Sequence, residues 1–150
     1  MKVRRTWVAR DAHLCVQEVW DYLADDSPLD REAHTIRLSN DSRWYIGELD
    51  GEIAGAFWMR RENFVTWEAH ANVRPKFWGR KQGTALCQLA IDEMIKDTGA
   101  QKVIATIPDS SPETQRMAEA IGFKREGVRS KAWCKDGVLY DQVYYGITRK

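Results

Sequence analysis

Glu68 and His70 stand two residues apart in Phe64 to Val73 (FVTWEAHANV), a stretch rich in aromatic and β-branched residues that reads as a strand. Side chains alternate along a strand, so Phe64, Thr66, Glu68, His70 and Asn72 share one face and Val65, Trp67, Ala69, Ala71 and Val73 the other. A carboxylate and an imidazole side by side can serve as a general base and its orienting partner. Glu68 is the first choice for the base, with burial expected to raise its pKa, and His70 is the second. A satisfied polar pair inside a sheet is the equally open structural reading.

A second group with chemistry follows at once. Gly79-Arg80-Lys81-Gln82-Gly83-Thr84 carries cations and two glycines, and leads into Ala85 to Ile95, where Ala85, Leu86, Leu89, Ala90, Met94 and Ile95 have the spacing of a buried helix stripe. A strand that ends in a short Gly and Arg/Lys loop opening into a helix presents unpaired N–H groups at the positive end of that helix. That is an anion site, suited to phosphate. Gly79 and Gly83 would let a ligand approach the backbone closely. The spacing is neither that of a triphosphate loop nor the dinucleotide Gly-x-Gly-x-x-Gly.

These groups need a frame. Val3 to Val8 reads as a strand. Asp11 can cap a helix with Ala12, Cys15, Val16, Val19, Trp20 and Leu23 on its apolar face, ended by Asp25-Asp26-Ser27-Pro28; a shorter helix is expected at about 29–38. Arg43 to Leu49 and Glu52 to Arg60 flank Asp50-Gly51, a strong hairpin signal. Lys102 to Ile107 reads as a buried strand parallel to 64–73, which makes a right-handed βαβ unit with its ligand end at the 76–84 loop. Ser111-Pro112, or Ser110 with Glu113, starts a helix that Gly122 closes, and a second hairpin, Lys124 to Cys134 and Val138 to Thr148, surrounds Lys135-Asp136-Gly137. Trp7, Trp20 and Trp67 are expected in the core, and Trp44, Trp58, Trp78 and Trp133 near hairpins or the loop.

A chain of 150 residues with 43% hydrophobic content suits one domain, 1–150, with a real core. Twenty-three basic against 22 acidic side chains give a net charge of +1, so no global field draws nucleic acid or an anionic membrane, and anion binding must be local. Cys15, Cys87 and Cys134 are odd in number and widely spaced, which indicates neither a disulfide framework nor a metal site. With no membrane-length apolar run, a cytoplasmic location is expected.

Pro75-Lys76-Phe77-Trp78-Gly79-Arg80-Lys81-Gln82-Gly83-Thr84-Ala85-Leu86 resembles the pyrophosphate loop of the GCN5-related N-acetyltransferases, V-x-P-x-Y-R-G-x-G-x-G/A-x-x-L, with Lys81 where the first central glycine usually stands. Ile121-Gly122-Phe123-Lys124-Arg125-Glu126-Gly127-Val128-Arg129, then Asp136-Gly137 and Tyr140-Asp141-Gln142-Val143-Tyr144, is similar to the ending of ribosomal-protein and spermidine-type acetyltransferases. The resemblance implies the fold of that family: α/β (α+β), a mixed, mostly antiparallel sheet with a central parallel pair and helices on both faces. It implies transfer of acetyl from acetyl-CoA, the acyl-donor co-substrate, to a primary amine of a small molecule or protein. By position, Val73 and Arg74 would pair with pantetheine; Gly79, Arg80, Lys81, Gln82, Gly83 and Thr84 would surround the pyrophosphate; and Ser111 stands where an asparagine contacting CoA is common. Ala118 holds the place of the family's usual acid, a tyrosine. Lys81 either adds charge to the phosphates or obstructs them. The departures at Lys81, Ser111 and Ala118 keep open a catalytically weak module that binds acyl-CoA or another protein, and a homodimer is compatible with the sequence.

Overall fold

The computed structural model describes residues 1–23, 25–26, 31, 34–79 and 81–149. Its elements run β1 (Lys2–Thr6), α1 (Ala9–Leu23), β2 (Ser42–Leu49), β3 (Glu52–Arg61), β4 (Thr66–Val73), a 3-10 turn (Pro75–Phe77), α2 (Lys81–Thr98), β5 (Lys102–Pro108), α3 (Pro112–Ile121), β6 (Lys124–Lys135) and β7 (Val138–Thr148). The seven strands form one sheet in the order β1-β2-β3-β4-β5-β7-β6, in which only β4 and β5 are parallel. Both hairpins turn as the sequence requires. Asp50 and Gly51 have φ of 52° and 78°, and Asp136 and Gly137 of 53° and 77°, the paired left-handed conformations of a tight hairpin.

The sheet is covered on both faces. Trp67, Phe57, Met59, Val103 and Tyr145 pack beneath α2 and α3, whereas Trp44, Ile46 and Ala56 pack beneath Ala12, Cys15 and Val16 of α1. Gly122 ends α3 with φ of 113°, and the N–H groups of Gly122 and Phe123 both return to the Ala118 carbonyl, which drops Phe123 into the core. Among the described residues no helix is long and apolar enough to cross a membrane.

Four expectations change. Asp11 lies inside the first turn of α1, bonded to Arg4, while Thr6 Oγ1 accepts the Val8 N–H just ahead of the helix. Ala24, residues 27–30, Glu32 and Ala33 lie outside the described residues, so the helix expected at 29–38 falls partly there; the described stretch 34–38 is neither helix nor strand. Trp7 is 61% exposed, under the Arg5 guanidinium rather than in the core. Finally, α2 begins at Lys81, and its buried face is Gly83, Leu86, Cys87, Ala90, Ile91 and Met94, rotated from the expected stripe so that Leu89 is exposed.

Leu86 holds α2 against the sheet. It is fully buried, and a Cβ placed on Gly47 of β2 would meet its methyl groups at 3.1 and 3.2 Å, so the helix depends on a side-chain-free notch in the strand. Leu86→Ala should lower unfolding free energy by about 2–5 kcal/mol. The urea midpoint at unchanged slope checks this.

Candidate active site

The parallel ladder between β4 and β5 lasts three residues: Thr66 faces Lys102, Trp67 faces Val103 and Glu68 faces Ile104. Beyond that point β4 stays paired with β3 and β5 with β7, so the two centre strands part. Arg74 N–H donates to the Ala54 carbonyl, which by alternation turns the backbone groups of Asn72, His70 and Glu68 toward β3 and those of Ala69, Ala71 and Val73 toward the gap. The opening leads into a cavity of about 1170 Å³, lined from one side by Cys87, Ile91, Met117 and Ala118 and from the other by Glu68, His70 and four tryptophans.

The floor on the α1 side is a cross-strand row. Trp44, Trp58 and His70 face one another across β2, β3 and β4 and stack, with ring centroids 5.8 Å and then 4.7 Å apart. Trp58 Nε1 donates to Ser42 Oγ at 2.9 Å, which fixes the middle ring. The neighbouring row places Arg60 opposite Glu68, with Arg60 Nη2 3.5 Å from Glu68 Oε1 and 3.3 Å from Glu62 Oε2. His70 Nε2 lies 2.5 Å from Glu68 Oε1, close enough to couple the two groups although the geometry is not that of a well-aligned hydrogen bond. The sequence-predicted pair is thus together on one wall of the cavity.

Its electrostatics are the reverse of the expectation. His70 beside it, and then Arg60, hold the Glu68 carboxyl below its ordinary value against the opposing effect of burial. Glu68 is therefore a carboxylate at neutral pH and a weak direct base for an ammonium. Cys87, buried on α2, has its thiol pushed up to about 12 by burial, so it offers no thiolate at neutral pH for a covalent acyl relay.

At the ligand end of β4, Gly79 has φ of 75° with open space where a Cβ would be. Lys81, Gln82, Gly83 and Thr84 are the first turn of α2, whose leading N–H groups have no partner within the helix, and this turn holds no acidic residue. A Cβ on Gly83 would meet Val73 at 3.5 Å, an ordinary contact, so the first turn of α2 lies against the end of β4. Arg80 lies outside the described residues. Arg74 is engaged elsewhere: its N–H and carbonyl are bonded to Ala54 and Phe77, and its guanidinium to Glu18 and the Ile53 carbonyl. The Val73 carbonyl, turned to the gap, accepts from Trp78 Nε1 at 2.7 Å.

Chain-wide comparison decides the family. The model of the acetyltransferase (GNAT) family matches residues 8–123. The chain belongs to that family. An uncharacterised N-acetyltransferase of Bacillus subtilis, YnaD, is 20% identical over 146 residues, 87% of this chain and 86% of that protein. YncA of Salmonella typhimurium, solved with its cofactor acetyl-CoA, matches with a TM-score of 0.78 at 17% identity, covering 100% of this chain and 94% of that one. Ribosomal-protein-S5-alanine acetyltransferase of Vibrio fischeri gives 0.78 at 15% identity over 99% and 92% of the two chains, and a Vibrio cholerae spermidine N-acetyltransferase (SpeG) variant 0.79 at 15% over 99% and 95%.

Within the GNAT frame, Ser111 lines the cavity as the N-cap of α3 with its hydroxyl making no capping bond, and Ala118 lines it where the resemblance places a tyrosine. Tyr144, opposite Thr106 on β7, lines the cavity from across the gap with the Arg129 guanidinium 5.4 Å from its ring centre. Trp58, one of the tryptophans near hairpins that could line an acceptor groove, does line the cavity. Sequence reading missed Tyr144 and Arg60, because their signal is a register between strands that a linear pattern does not carry. Tyr140 packs near Trp133, and Cys134 lies against Asp26. Among the described residues no cluster of His, Cys, Asp or Glu is arranged for a metal.

A carboxyl whose folded value is lowered contributes stability that is present above its unfolded value and is lost as pH falls through the folded one. Glu68→Gln should therefore flatten the acid limb of the stability curve, below about pH 4.3. Urea midpoints of both proteins from neutral pH downward test it; parallel curves would mean the Glu68 contact contributes nothing.

Proposed function

We propose that this chain is an N-acetyltransferase that moves acetyl from acetyl-CoA to a primary amine held against Glu68 and His70. The observation that carries the reading is the parting of β4 and β5 onto a cavity with that pair on its wall, beside a helix turn open to phosphate. Pantetheine amides would pair with the Ala69 and Ala71 backbone in the gap, as an added strand does, and the pyrophosphate would lie on the N–H groups of Lys81 to Thr84 beside Gly79. Ser111 would offer its hydroxyl to the same arm. Lys81, exposed at the helix start, adds charge there.

An amine reaches the site mostly as its ammonium and must lose a proton before it attacks the thioester. Glu68, held ionised, attracts the ammonium and stabilises an imidazolium on His70, so His70, directly or through water, takes the proton. A gap-facing N–H of β4 can meet the oxyanion of the tetrahedral intermediate. Its collapse forms the amide and breaks the carbon–sulfur bond; the CoA thiolate, with a thiol pKa of about 8.5, leaves without an obligatory acid. Tyr144 is the phenol placed to protonate it.

One observation favours the second reading, a weak acyl-CoA-binding module: the Trp78 indole already occupies the Val73 carbonyl. Thiol release from acetyl-CoA with an amine panel, beside calorimetric CoA binding, separates the two. CoA binding with no acylated amine supports the module, and acylated amine with released thiol the enzyme. Gly83→Val should weaken CoA binding at least about tenfold by crowding Val73 and the phosphate approach. Glu68→Gln and His70→Asn should each lower kcat about 10²-fold or more with little change in acetyl-CoA affinity. Full turnover in both would leave the polar face of β4 structural.

A further inference from the structure

The acetyl-transfer reading places the amine at the gap; the rest of the cavity speaks of what the amine is attached to. Two buried ring nitrogens at its α1 end have no hydrogen-bond partner among the described residues, and one of them, an indole N–H, is a donor. Trp44 is 4% exposed and lines the cavity, yet its Nε1 has no hydrogen-bond partner. His34 lines the same end, and its buried Nδ1 is equally without one. Trp20 joins them, edge-on to His34 at 5.1 Å and packed on the cluster that contains Trp44. Arg37 also lines the cavity, and among the described residues no carboxylate pairs with it. A buried N–H left unmet is unfavourable, and an anionic oxygen is the partner that an indole N–H and a guanidinium share.

The carboxylates of the lining point to the same conclusion. Glu62 and Glu68 both lie against Arg60, Glu68 also against His70, and Asp25 is engaged as well. Among the described residues of the lining a second ammonium on the acceptor would find no uncommitted carboxylate, whereas a negative group would find Arg37. Trp44 and His70 sit on one face two strands apart, roughly 10 Å.

We propose, on the strength of the acetyl-transfer reading, that the acceptor is an amine bearing a remote anionic group, with the amine at Glu68 and His70 and the anion received by Trp44 Nε1 and Arg37 about two strand spacings away. The ring row from His70 to Trp44 is the apolar wall along which the connecting chain lies. Polyamines, with a second cation at that distance, are disfavoured.

Three amines of one length and different tails test this: 6-aminohexanoate, hexylamine and 1,6-diaminohexane, each with acetyl-CoA and the full chain, read as kcat/KM from thiol release and confirmed by mass of the product. The acid should exceed both others by about tenfold or more. Trp44→Phe keeps a ring in the stack but removes the N–H, and should bring the acid-to-hexylamine ratio toward one. Arg37→Glu, an exposed position, should shift preference to the diamine. Equal use of the three amines, preference of the unaltered chain for the diamine, or an acid preference that neither substitution changes would each overturn the proposal while leaving acetyl transfer intact. Acetyl-CoA binding with none of these or any other amine acylated would overturn the acetyl-transfer reading and this inference with it.

Discussion

The sheet can pair its two central strands for only three residues, and the site depends on that failure. Antiparallel partners on the outer sides hold β4 and β5 along their lengths, so when the two diverge after Glu68 and Ile104 neither can follow the other without breaking its own ladder. The backbone groups of Ala69 and Ala71 then face space in the middle of a domain. Buried backbone polar groups must be met, and in the absence of a strand they are met by water or by the amides of a ligand. Small side chains at 69 and 71 leave that edge accessible. The same divergence joins the compartments on the two faces, so in the proposed reaction a thioester entering from the α2 side would emerge beside side chains that belong to the α1 side.

Other contacts maintain the opening. Asp26 accepts hydrogen bonds from the N–H groups of Asp136 and Gly137 and from Cys134, tying the end of α1 to the β6–β7 turn across the α1 side of the sheet. Arg74 joins Glu18 of α1 to the Ile53 carbonyl of β3, and Tyr45 on β2 donates to Asp97 of α2 at 2.9 Å. These contacts fix α1, α2 and the last hairpin to the sheet from both of its faces, so the gap is bounded by elements that do not depend on β4 pairing with β5. Charge assists this: burial and the Asp97 carboxylate push the Tyr45 phenol well above its ordinary value, which keeps it a donor at any physiological pH.

How much of this the sequence disclosed depended on whether a signal was local. Both tight hairpins, the glycine cap of α3 and the alternation that puts Glu68 and His70 on one face are consequences of adjacent residues, and all appear where the pattern puts them. Lys81-Gln82-Gly83-Thr84 reads as loop chemistry, yet it is the first turn of α2, with Gly83 buried against the end of β4. The buried face of α2 is rotated because Leu89 is apolar without being needed by the core. Trp7 sits in an apolar pattern, yet at the end of β1 it is exposed, with the Arg5 guanidinium over its ring. The row Trp44, Trp58 and His70 was invisible for a deeper reason: its members lie on three strands, and only register, which includes a bulge at Gly47 and Glu48, aligns them.

That row bears on what Glu68 and His70 would do in the proposed reaction. A histidine on an open strand would rotate, whereas one stacked on Trp58, itself fixed by Ser42 and Trp44, has its ring plane set before any ligand arrives. Glu68 is set from the other side by Arg60. The arrangement divides two tasks that a single raised carboxyl would have had to combine. In the proposed reaction the carboxylate would attract the incoming ammonium and the imidazole would carry the proton away. Arg60 adds to the effect of His70 in holding Glu68 ionised. Under the proposed mechanism the aromatic floor is part of the chemistry: by fixing the ring it would let a depressed carboxylate, a poor base by itself, serve a reaction that needs one.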